Sequence, residues 1–151
     1  MKLAEALQER ADLNRKIEEL RHRLGNCVLV QEGEEPPEDP DRLLKELDEA
    51  ILRLEYLMTR INLTNGRTKA DGKTLTEIIA RKDALFIRLS AYRDLVYTAG
   101  QNTARARGTE IRVKALLKAS SLQAEADRTA KEIRELDNLL QETNWKTKLI
   151  E

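Results

Sequence analysis

The chain contains one cysteine, Cys27, which excludes an intrachain disulfide and with it a secreted, cross-linked scaffold. It contains one histidine, His22, so a metal centre needing two histidines would have to borrow one from another copy. Aromatic residues make up 3% of the sequence, leaving few anchors for a bilayer interface. Net charge is also lacking, with 27 basic and 27 acidic side chains. No global field therefore steers the protein toward nucleic acid or anionic lipid, and neither partner is expected. No run approaches the roughly 18 apolar residues that would span a bilayer. The opening stretch, "MKLAEALQERADLNRKIEEL", is dotted with charge and has no apolar core of the kind an export leader carries. A cytoplasmic location is the expectation.

What is present is the material of long packed helices. Charged residues make up 36% and hydrophobic residues 40% of the 151 positions, enough apolar chain for one modest core. Residues 1–151 read as a single helical domain. Leu3, Ala6, Leu13, Ile17, Leu20 and Leu24 recur at helical spacing and predict a first helix over about 2–24. Arg10 sits in the same row, and Gly25-Asn26 offers a stop. Cys27 to Val30 is short and β-branched, which predicts a strand over 27–31. A loop follows with Glu32, Glu34, Glu35, Glu38, Asp39 and Asp41 and no basic residue.

Asp39-Pro40 is a strong helix start, with aspartate as N-cap and proline in the first turn. Leu44, Leu47, Ile51, Leu54, Met58 and Ile61 then keep heptad spacing and predict a second helix over 40–65. A third, over 74–99, buries Leu75, Ile78, Leu85, Leu89, Tyr92, Val96 and Ala99, with Lys82 interrupting the row. Residues 110–117 alternate: Ile111, Val113, Ala115 and Leu117 on one side, Glu110, Arg112 and Lys114 on the other, as in a half-buried strand. Ser120 and Gln123 form a capping-box pattern opening a fourth helix over 120–143. The expected fold is mainly α: an antiparallel four-helix bundle with a small two-stranded β-ribbon at one end, made from 27–31 and 110–117. Such a ribbon is marginal alone, so its strands should pack on helices or pair with another copy.

The segment "NGRTKADGKT", residues 65–74, resembles a phosphate-binding loop, but five residues lie between Gly66 and Gly72 where the motif has four. A heptad-patterned helix precedes it where a strand is required. The residues are better accounted for by Gly66 stopping the second helix, Asp71-Gly72 making a turn, and Thr74 with Glu77 capping the third.

Other chemistry is sparse. Glu19 and His22 have the spacing of one half of a carboxylate-bridged di-metal motif, but a solvated histidine is the simpler reading, and no metal or cofactor is expected. Cys27 reads as a buried small hydrophobe. Arg10 and Lys82 could form a buried polar cluster or ligand site, though reaching water at the bundle edge is favoured. The two segments that flank the bundle have opposite charge. Acidic 32–41 faces a basic set comprising Arg105, Arg107, Arg112, Lys114 and Lys118. Pairing of these segments, within a chain or between subunits, is the first reading. The second is a site for a small, nucleotide-like anion, held by Arg105, Arg107, Arg112 and Lys114. Val28, Val30, Ile111 and Val113 are candidate interface residues, and Trp145 either joins them or staples the C-terminus. The expectation is a non-catalytic homo-oligomer acting through protein interaction, with anion binding as the alternative and a metal-dependent enzyme third.

The stretches "MKLAEALQERADL", "VQEGEEPPEDPDRLLKELDE", "INLTNGRTKADGKTLTEIIARKDAL" and "IRELDNLLQETNWKTKL" together resemble the septicolysin-like family of small bacterial proteins. That resemblance implies a helical bundle in a bacterial or phage-associated setting and carries no catalytic residues. The pore-forming activity its name suggests is not expected of a sequence with so few aromatic membrane anchors.

Overall fold

A computed structural model describes residues 1–101 and 111–151. They form four long helices: α1 Leu3–Gly25, α2 Pro40–Arg67, α3 Leu75–Ala99 and α4 Ala119–Lys146. Two short strands, β1 Lys69–Ala70 and β2 Lys73–Thr74, pair antiparallel between α2 and α3. The class is mainly α with a small two-stranded ribbon, and each helix lies where the apolar periodicity places it. Two compact units divide the chain, one of residues 1–68 with 143–151, the other of residues 69–142.

In the first unit α1 and α2 pack against each other. Leu20 meets Leu43 near one end, while farther along the Arg53 guanidinium donates to Glu9 at 2.6 and 2.9 Å. Pairings that step in opposite directions along the two helices make the pair antiparallel. Asp39 caps α2 as expected, accepting from the Asp41 N–H at 3.0 Å. The C-terminal residues close the unit from the other end. The Leu3 N–H donates to the Thr147 carbonyl at 2.9 Å and the Leu149 N–H to Met1 at 3.0 Å. Thr64, fully buried, donates to the Arg60 carbonyl at 2.7 Å and accepts from the Ile150 N–H at 3.0 Å.

The buried row of α2 keeps Ile61 from the row its heptads predict, with Leu47 and Leu54 half-buried, but departs from it at the other three positions. Leu43, Ala50, Leu57, Ile61 and Thr64 are buried, whereas Leu44, Ile51 and Met58 are 49%, 44% and 47% exposed. The two rows are one residue apart, about 100° around the helix. Alanine and threonine weaken the inner row on any hydrophobicity scale, and Thr64 is where the C-terminal tail meets the helix, through the Ile150 N–H.

The second unit holds the hairpin, α3 and most of α4. Leu85, Leu89, Ala126 and Ile133 form its core, with Tyr92, Ala130 and Leu136 packed alongside. Arg81 pairs with Glu132 at 3.0 Å and Arg88 with Glu125 at 3.2 Å, again an antiparallel order. Lys82 joins no buried cluster; its partly exposed side chain reaches the helix edge and binds Asp137 on α4 at 2.9 Å. Thr74 and Glu77 form the expected capping box at α3. The expected one at α4 is not used, because Gln123 donates to Asp127 at 2.8 Å and the helix begins at Ala119.

The ribbon is in a different place from the one expected. Residues 27–31 form no strand: the Cys27 and Val28 N–H groups donate back to Leu24 at 2.9 and 3.1 Å, so the segment starts as an extension of the α1 C-terminus. Among the described residues, 111–117 form no strand either, Arg112 alone of them having bridge geometry. Their apolar and charged members are all exposed, so no buried layer selects one face of the alternation. The strands form instead inside "NGRTKADGKT", where Asp71 and Gly72 both take positive φ, 50° and 76°. That is the left-handed pair a two-residue hairpin turn requires, and it aligns Lys69 with Thr74 and Ala70 with Lys73. Gly66 does not stop α2; it lies within the helix, which ends at Arg67.

Candidate interaction surface

Between α1 and α2 the chain makes an outward loop fixed at both ends. At its start, Cys27 is buried with Leu20 and Leu43, flanked by Leu24 and Leu47. At its end, Glu38 accepts from Arg23 through both carboxylate oxygens and from Arg42 at 3.4 Å. The hydrogen bonds from Arg23 hold the Glu38 carboxyl below the usual carboxylate range, against the partial desolvation that opposes them, and the Arg23 guanidinium is raised in turn. Between these anchors Val28, Leu29 and Val30 are 66%, 87% and 49% exposed. A turn follows in which the Glu34 N–H donates to Gln31 at 2.9 Å and Gly33 takes φ 86°. Glu32, Glu34 and Glu35 are exposed around it.

The second unit carries a groove of about 440 Å³. Its walls are Leu95, Thr98 and Ala99 from α3, Leu122 from α4, and the incoming segment Val113 to Leu117. The lining is apolar apart from Thr98, Gln101 and Lys114. Leu116 is 87% exposed at its rim. Arg112, Lys114 and Lys118 are exposed along the same segment.

The candidate residues read from sequence can now be placed. Val28, Val30, Ile111, Val113 and Trp145 are all exposed, the first two on the outward loop and Val113 in the groove wall. Trp145 lies within α4, which continues to Lys146, and not beyond the helix end. Arg112 and Lys114 flank the groove, while Arg105 and Arg107 lie outside the described residues. His22 is exposed on α1. Among the described residues no group of three or more His, Cys, Asp or Glu side chains is placed to hold a metal ion. No helix among them is long and apolar enough to cross a membrane. The groove itself was missed in the sequence. Its signal was the run Ala115-Leu116-Leu117, which continues the apolar content of the segment without keeping its alternation.

The profile of a family of unknown function (DUF6847) matches residues 10–149. A crystal structure of a functionally unknown conserved protein from Corynebacterium diphtheriae is similar at 38% identity and a TM-score of 0.91, over 99% of each chain. No curated protein matches. The resemblance to the septicolysin-like family is therefore set aside: the profile that matches nearly the whole chain is that of a different family.

Proposed function

We propose, from the premise that this chain belongs to the DUF6847 family of unknown function, that it is a cytoplasmic, non-catalytic protein that works by self-association. The observation that carries this reading is the second apolar row on α2. Leu44, Ile51 and Met58 keep seven-residue spacing and remain about half exposed, although the helix has already buried an inner row. A helix needs one apolar stripe to join a core, and a second stripe is what an additional helix packs against. Ile51, Leu54 and Met58 also line a shallow depression with Asn62, a form that receives side chains from a facing helix. Elsewhere, large apolar side chains are exposed at Leu52, Phe86, Ile87 and Tyr97.

The test is the mass in solution across a concentration series, by light scattering. A stable oligomer is expected, with Ile51→Asp shifting it toward monomer while leaving the helical circular dichroism unchanged. A clean monomer for the native chain at every concentration defeats the reading. A second reading, capture of a small anion by Arg112 and Lys114, is favoured by the exposure of both side chains beside the groove. It predicts a thermal upshift with nucleotides that Arg112→Glu abolishes.

A further inference from the structure

We propose that the apolar groove of the second unit receives the Val28–Val30 segment of a second copy of this chain, locked by acidic residues of one copy against basic residues of the other. This rests on the self-association proposed above and adds a second contact to the one through the α2 row.

Three observations converge. First, the groove is a built concavity, with Leu95 and Ala99 on one wall, Leu122 on another and the chain from Val113 to Leu117 closing it. At about 440 Å³ it falls within the range of roughly 300–1,000 Å³ in which pockets hold compact apolar groups. Second, the chain offers a matching insert. Val28, Leu29 and Val30 are consecutive and exposed, with the core residue Cys27 before them and the Arg23–Glu38 pair beyond. Pinning at both ends means the segment loses little conformational freedom on docking.

Third, the flanks have opposite charge, and that charge is unspent. Ion pairs elsewhere in the chain are mostly local or join packed helices, and Glu38 is consumed by Arg23 and Arg42. Among the described residues, Glu32, Glu34 and Glu35 enter no ion pair, and neither do Arg112, Lys114 and Lys118. Three carboxylates directly after the apolar insert meet three cations along the groove segment, which fixes orientation and speeds encounter. Each copy carries both the insert and the groove, so one chain supplies both sides of the contact.

The experiment uses the full chain and measures the association constant by sedimentation. Glu32→Lys with Glu34→Lys and Glu35→Lys makes one variant; Arg112→Glu with Lys114→Glu and Lys118→Glu makes the other. Each alone should weaken association at least tenfold, because each then sets like charges together. Mixing the two should restore association as a heterodimer, since the reversed insert then faces the reversed groove and the native insert the native groove. Leu29→Asp should weaken association without changing the circular dichroism. If the native chain associates and these variants associate equally well, the insert-and-groove contact is overturned while self-association stands. A native chain that stays monomeric overturns both. Association that the charge variants lose and the mixture fails to regain overturns the contact, as does an aliphatic molecule retained in the groove of a chain whose association ignores Leu29→Asp.

Discussion

Thr64 shows how much a single hydroxyl can organise. It is fully buried, turns one bond back to Arg60 on its own helix, and accepts the Ile150 N–H from the far end of the sequence. Thr64→Val keeps the shape and removes the acceptor, stranding a partly buried N–H. A loss of about 1–2 kcal/mol is expected in denaturant unfolding, with faster amide exchange at Ile150. Glu38 supports a prediction of a different kind. The Arg23 hydrogen bonds depress its folded pKa below the unfolded value, so its contribution is present above that value and is lost as pH falls through the depressed one. Glu9, Glu77 and Glu125 are lowered in the same direction. Thermal midpoints should therefore fall on acidification below about pH 4.3, the ordinary glutamate value. Glu38→Gln should melt below the native chain at pH 7 and approach it in acid; a constant gap across that range would contradict the assignment.

At the scale of elements, the hairpin and the α2 C-terminus give opposite answers for two glycines nearby in sequence. Gly72 takes φ 76° with open space where a Cβ would project, so Gly72→Ala suffers backbone strain alone, roughly 1–2 kcal/mol. Gly66 has helical neighbours and open space as well, and Gly66→Ala should stabilise by up to about 1 kcal/mol. Thermal denaturation of both variants checks the pair, and equal signs would refute the turn geometry. The same region shows what could be read in advance. Asp-Gly between two helices signals a tight turn, and Thr74 with Glu77 signals a cap; both are local rules and both hold. Asp39-Pro40 is equally local. What could not be read was which apolar row α2 buries, because Leu44, Ile51 and Met58 are more hydrophobic than Ala50 and Thr64. Burial there is set by what α1 and the C-terminal tail can approach, which is a tertiary fact. The alternation at 111–117 misled for the same reason: it describes a face without the layer that face would cover.

For the whole molecule, the balanced charge noted first now has a use. With 27 charges of each sign, no net repulsion opposes contact between copies, and association is governed by where the charges lie. Screening should then matter: raising salt from roughly 0.05 to 0.5 M shortens the reach of the unpaired charges to a few ångströms. Association through the insert and groove should weaken over that range, whereas packing through the α2 row should hold. A salt series in the sedimentation experiment separates the two contributions.

The burial of Cys27 has one further consequence. It is the chain's sole thiol and sits among Leu20, Leu24, Leu43 and Leu47, where a water-borne alkylating reagent reaches it only when that cluster parts. The labelling rate divided by that of a free thiol is thus the fraction of time the first unit stands open. One clock reading, taken in plain buffer, gives the free energy of that opening.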